Sequence, residues 1–179
     1  SAADRISKMC EVAESHAPIQ IGITLVKPLV KQDYNGFKCS TYSFYALPFS
    51  GPELLGKEPS FLCKASALQF NAENGHVDFN KWLKHGVPYM SREDEANYLA
   101  SPLSHGDVNL PRKVGLLRLW KLLCEAQVPL VTHCPLDVFF LLRIFERQKL
   151  PRNPAELAKL IHQCTPCVFD TAHLHGSIG

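Results

Sequence analysis

Apolar residues Ile6, Met9, Cys10 and Ala13 recur at helical spacing, with Lys8, Glu11 and Glu14 on the other side, so residues 2–15 read as an amphipathic helix. Pro18 marks its exit. The period then changes from helical to two: Ile19, Ile21, Ile23 and Leu25 alternate with Gln20, Gly22 and Thr24, the pattern of a half-buried strand. Asp33, Asn35 and Gly36 supply turn chemistry within residues 31–38. Residues 39–47 are rich in β-branched and aromatic side chains and stop at Pro48. An antiparallel hairpin is predicted here.

Residues 51–59 hold Pro52, Gly56 and Pro59 and read as a loop. Residues 62–74 are helix-like, with Gly75 as the closing residue. Asp78 is placed to cap a short helix over 79–85 that Gly86 closes. Ser91 opens another, with Glu93, Asp94 and Glu95 as the usual solvated acids of a first turn. Residues 101–111, with Pro102, Gly106 and Pro111, are the best candidate for a surface linker within a single domain spanning 1–179. Beyond it the pattern is regular: a helix over 114–127, an apolar strand over 129–133, a helix over 137–148 that is apolar almost all round, a helix over 154–163 and a strand over 167–170. The class is α/β, a sheet covered by helices.

Composition narrows the field. The 179 residues are 46% hydrophobic and 20% charged, with a net charge of +2, which is ordinary for a globular domain and carries no bulk signature of a polyanion or membrane binder. No apolar run approaches the ~20 residues of a membrane span. Asp4, Arg5 and Lys8 interrupt any secretory core at the start, and an intracellular chain is expected, in nucleus or cytoplasm with an organelle left open. The seven cysteines, among them Cys10, Cys39, Cys63 and Cys124, read as reduced, buried thiols rather than a disulfide framework. The chain opens on Ser1 rather than Met, as a processed chain or a piece of a larger one would.

The sharpest candidate chemistry is His133-Cys-Pro-Leu-Asp137, where an apolar strand meets a buried helix. Ligands of open α/β sheets gather at such strand ends, and a carboxylate there suits a hard cation such as Mg²⁺. The plainer reading makes Asp137 a helix cap. Asp170 ends a second apolar strand and could lie beside Asp137, or could simply bond nearby backbone. His162, Cys164, Cys167, His173 and His175 form a local cluster with a CxxC, but without a second CxxC, and at a helix-to-strand loop, a metal or redox role is the lesser reading.

Three blocks in order, residues 61–70 (FLCKASALQF), 77–81 (VDFNK) and 86–89 (GVPY), resemble the signature stretch of the DEDD exonucleases of the poly(A)-specific ribonuclease, target-of-EGR and Pop-type deadenylase group. Residues 4–25 resemble the helix and strand after that family's first catalytic strand. Residues 129–137 resemble its second catalytic motif, and 168–171 its "YDTK" strand. The resemblance covers nearly the whole chain.

The resemblance implies an RNase H-like nuclease fold, a mixed sheet covered by helices, and hydrolysis of RNA from its 3′ end. In that family four carboxylates hold two metal ions, Mg²⁺ in kind, which activate a water and stabilise the leaving oxygen, while a His serves as general base. By position, Asp137 matches one of the four carboxylates as catalytic residue and metal ligand. Leu68 and Phe70 match the nucleotide pocket, and His133 and Asp170 the supporting shell. The Asp-x-Glu pair of the first strand and the final His and Asp have no counterpart in the 179 residues, and Ala172 stands where the family has Lys. Nor is an RNA-binding domain inserted after GVPY. The implied partners are single-stranded RNA 3′ ends, with poly(A) as a candidate tract, and other protein subunits; neither DNA nor membrane is expected. Two functions follow: part of a working 3′ exoribonuclease, inactive as the isolated chain, or a degenerate nuclease fold kept as scaffold or RNA-contacting subunit.

Overall fold

The computed structural model describes residues 2–31, 34–48, 60–75, 77–146 and 149–172. Helix α1 (Ala2–Ser15) leads into strands β1 (Gln20–Lys31) and β2 (Tyr34–Pro48), paired antiparallel from Gln20↔Tyr45 to Lys31↔Tyr34. The hairpin is present and longer than the sequence pattern suggests. Asn35 and Gly36, read as turn residues, pair with Val30 and Leu29, because the continuous register outweighs local turn preference. Asp33 and the 51–59 loop lie outside the described residues.

Helix α2 (Ala65–Glu73) begins later than expected. The Leu62 amide donates to the Ser15 carbonyl at 2.7 Å and Leu62 bridges to His16, so that stretch is committed to extended backbone. At its far end the Gly75 amide reaches the Phe70 carbonyl at 3.3 Å. Helix α3 (Phe79–His85) is capped by Asp78, whose carboxylate accepts from the Lys81 amide. A short strand that the pattern does not announce, β3 (Val87–Tyr89), then pairs parallel with β2 through Ala46↔Val87 to Pro48↔Tyr89.

Helix α4 (Arg92–Ala100) carries the capping box read from Ser91, closed by Asp94. Residues 101–111 contain a 3₁₀ turn, Pro102–Ser104, and the start of α5 (Leu110–Lys113). Asp107 in this stretch is held by the Tyr98 hydroxyl and by Lys113 at 2.9 Å. These two contacts keep its carboxyl down at about 2. Helix α6 (Gly115–Ala126) ends at Gln127 in the left-handed region, φ 49°. It is followed by β4 (Leu130–Thr132), α7 (Pro135–Phe145), α8 (Pro154–Cys164) and β5 (Val168–Asp170).

The expected single mixed sheet is two sheets among the described residues: β1-β2-β3, antiparallel then parallel, and the parallel pair β4-β5. β1 and β4 each pair on one side only, since no described strand bridges their outer edges. One hydrophobic cluster nevertheless serves both sheets. Cys10 and Ala13 of α1, Ile21, Ala46 and Tyr89 of the first sheet, and Leu117, Trp120, Phe139, Leu142, Phe145 and Leu160 of the helices meet in it, with Leu130 and Val168 of the second sheet against it. The Trp120 and Phe145 rings stack at 5.8 Å, and Tyr89 meets Phe145 edge-on at 6.5 Å. Glu14 fixes α1 to the chain before α8, accepting from the Leu150 amide and from Arg152, both at 2.7 Å. Among the described residues no helix is long and apolar enough to cross a membrane.

Candidate active site

The parallel register of β4 and β5 sets Leu130 beside Val168 and Thr132 beside Asp170. His133 and Thr171 follow those strands, 38 residues apart in sequence and side by side in space. The Thr171 hydroxyl reaches the Thr132 carbonyl at 3.2 Å. Its oxygen meets His133 Nδ1 at 3.0 Å. The one hydroxyl proton can serve only one of these two contacts, and either tautomer of His133 is compatible with them. Among the described residues, the buried Thr132 hydroxyl has no hydrogen-bond partner.

Asp137 sits in the first turn of α7, but not as its cap. Pro135 takes the first helical position and Cys134 the cap position, so the helix starts two residues earlier than its apolar pattern suggests. Asp78 and Ser91 each accept a backbone N–H of their own helix, and Asn153 does so at the start of α8. Asp137 accepts no hydrogen bond among the described residues. The surrounding protein raises its carboxyl above the ordinary range, His133 draws it back and Asp170 raises it again. The structure therefore brings His133, Asp137 and Asp170 into one electrostatic neighbourhood. They stop short of a cation cage, since their ligand atoms do not all lie within 4.8 Å of one another.

Both sequence readings of Asp170 hold: it ends a strand parallel to β4 close enough to raise the Asp137 carboxyl, and one of its own carboxylate oxygens accepts from the Ala172 amide at 2.9 Å. Leu68 and Phe70 lie on α2, which buries no residue, and Phe70 is 63% exposed. No hydrogen bond or ion pair among the described residues joins α2 to the β4-β5 pair. Among the described residues the CxxC cluster does not assemble. His162 is exposed, His173 and His175 lie outside the described residues, and Cys164 faces Cys124 and Glu146 instead. All seven cysteines are free, but Cys39, Cys63 and Cys134 are exposed rather than buried, because the outer hairpin, the stretch before α2 and the loop after β4 leave them outside the core. Thr171 was not a sequence candidate. Its role depends on a strand register that no local spacing shows.

The profile of the CAF1 family ribonucleases matches residues 1–107 and 104–177. Human poly(A)-specific ribonuclease PARN is 36% identical over 66 residues, 36% of this chain and 10% of that protein. The pre-piRNA 3′-exonuclease trimmer of Bombyx mori is 30% identical over 79 residues, 44% of this chain and 14% of that protein. An uncharacterized protein of Schizosaccharomyces pombe is 32% identical over 96 residues, 54% of this chain and 21% of that protein. The chain thus spans about a tenth to a fifth of the length of these relatives. With the family profile running along both halves of the fold just described, the chain belongs to the CAF1 family of ribonucleases.

Proposed function

We propose that these residues form part of the RNase H-like catalytic domain of a 3′-to-5′ exoribonuclease acting on single-stranded RNA, with poly(A) as the candidate tract. The observation that carries this reading is Asp137, an acid in the first turn of the helix that follows parallel strand β4, which accepts no hydrogen bond among the described residues. Two relatives, a poly(A)-specific ribonuclease and a pre-piRNA 3′-exonuclease trimmer, point the same way.

Asp137 would give a divalent cation one carboxylate oxygen, and such a cation would supply an activated water. A two-cation centre needs more oxygen ligands than the described residues offer, because Asp170 is half committed to backbone and no third carboxylate converges. The described residues do not fit that centre alone, and no hydrolytic step is derived through it. What this part of the chain provides is a negative charge at Asp137 beside the imidazole of His133, whose Nδ1 meets the Thr171 hydroxyl at 3.0 Å. The isolated 179-residue chain is inactive in this reading.

The test is digestion of a 3′-labelled oligoadenylate by the full-length protein with Mg²⁺. Asp137→Ala is expected to reduce the rate by more than the ~10–100-fold that loss of an outer-shell partner costs. Wild-type rates from that variant would leave Asp137 as a first-turn acid and overturn its assignment. No digestion by the wild-type full-length protein, with RNA still bound, would overturn the exoribonuclease reading in favour of a nuclease fold retained as a binding subunit.

A further inference from the structure

Three helix ends converge where α6 and α8 finish, just ahead of the starts of β4 and β5. Cys124 lies in the last turn of α6, Glu146 directly follows α7, and Cys164 is the last residue of α8. Their two sulfurs and one carboxylate oxygen all lie within 4.8 Å of one another. Cys124 and Cys164 are 8% and 5% exposed, so the group is nearly closed to solvent.

Glu146 is oriented from outside this group. Arg92 Nε on α4 donates to both carboxylate oxygens, at 2.8 and 2.9 Å, and Trp120 Nε1 donates to Oε1 at 2.6 Å. Each carboxylate oxygen has two lone pairs, so Oε2, with Arg92 alone among the described residues, keeps one free. A ligating carboxylate held by outer hydrogen bonds is the usual arrangement around a protein metal site. The charge also closes. Two thiolates and a carboxylate carry −3, a divalent ion +2 and Arg92 +1, a neutral sum in a setting where net charge is costly.

We propose that Cys124, Glu146 and Cys164 form a binding site for a thiophilic divalent cation of the Zn²⁺ class, with Arg92 and Trp120 as positioning residues. Two sulfurs and one oxygen favour such an ion over Mg²⁺ or Ca²⁺. Tetrahedral zinc, with sulfur at ~2.3 Å and oxygen at ~2.0–2.2 Å, draws such ligands into edges shorter than the present limit and leaves a fourth position for water. The ion would tie α6, α7 and α8 together just before the two strands that α6 and α8 feed. This inference is independent of the nuclease reading, since none of the three ligands belongs to the β4-β5 end.

The experiment uses the full-length protein, exposed to Zn²⁺ or Co²⁺ and freed of excess ion. Metal analysis is expected to give about one equivalent of zinc retained by this site, and the Co²⁺ form a near-ultraviolet sulfur-to-metal charge-transfer band. Cys124→Ala and Cys164→Ala should each weaken that band by about half or abolish it, and the double variant should remove it. In the wild-type protein, alkylation mapped by peptide mass should find both thiols protected with zinc and reactive once it is chelated, a readout that needs no variant to fold. Zinc retained equally by a folded double variant would place the ion elsewhere and overturn the proposal. So would a wild-type protein that retains no metal, or one whose Cys124 and Cys164 are recovered as a disulfide.

Discussion

A carboxylate in the first turn of a helix ordinarily gains from the backbone dipole, yet Asp137 has its carboxyl raised rather than lowered. Its surroundings take water from it, and Asp170 repels its charge, by more than His133 returns. A raised carboxyl binds its proton more tightly in the folded chain than in the unfolded one, so the ionised form carries a penalty. That penalty is absent below the ordinary Asp range, near pH 4, and develops as pH rises through the raised folded value. Asp137→Asn is therefore expected to melt no lower than wild type at pH 7 and slightly higher without divalent cations, with the difference vanishing near pH 3.5. Thermal melts at the two pH values check this. A variant that melts lower at pH 7 would show the carboxylate stabilising the fold instead. His133 and Asp170 were legible as strand-end residues, but the His133–Thr171 contact was not, because it exists only once β4 and β5 are laid in register.

The block that resembles a nuclease signature is, element by element, a packing device. Asp78 caps α3 and its amide donates to the Tyr45 hydroxyl at 3.0 Å. Trp82 donates to the Ala46 carbonyl of β2 at 2.7 Å, with Phe61 and Phe79 edge-on to its ring. Gly86 then turns α3 into β3 with no room for a side chain: an added Cβ would stand 2.5 Å from the Trp82 carbonyl oxygen and 3.1 Å from the Leu47 Cβ. Gly86→Ala should thus destabilise the fold by about 1–3 kcal/mol, the usual range for overpacking. Denaturant unfolding measures it, and an unchanged midpoint would mean that the α3-β3 turn can shift freely. At this scale the sequence was a good guide to helices and caps, since periodicity and Asp, Ser or Gly punctuation are local. It was a poor guide to β3 and to the start of α2, which are set by a parallel neighbour and by the Ser15–Leu62 bond.

Across the whole molecule, helices α6 and α7 together provide nine of the twenty buried residues of the shared cluster. Leu117 and Leu142 are completely buried in the cluster shared by both sheets. Leu117→Ala should cost about 2–5 kcal/mol, the range for emptying a buried leucine, and the loss should appear in both sheets together if the shared core makes them one cooperative unit. Amide exchange on β2 and β4 separates the cases: loss of protection on β4 alone would show two independent units. The α/β class was visible in the order of elements. The division into two sheets was not, because strand count and type do not say which edges find partners.

Those edges bear on how the chain behaves among its own copies. Along β1, the stretch from Gln20 to Val26 has neither a charge nor a proline, and the first guards against strand capture, Lys27 and Pro28, come only beyond it. Leu25, Val26, Phe37 and Tyr42 of the hairpin are all at least half exposed. A bare backbone edge beside apolar side chains is the template on which extended strands add to one another. Wherever that edge is uncovered, dilution and temperature would decide solubility as much as stability does, and a single charged substitution at Gly22 or Thr24 on the solvent face would do more to keep the material dispersed than any improvement of the core.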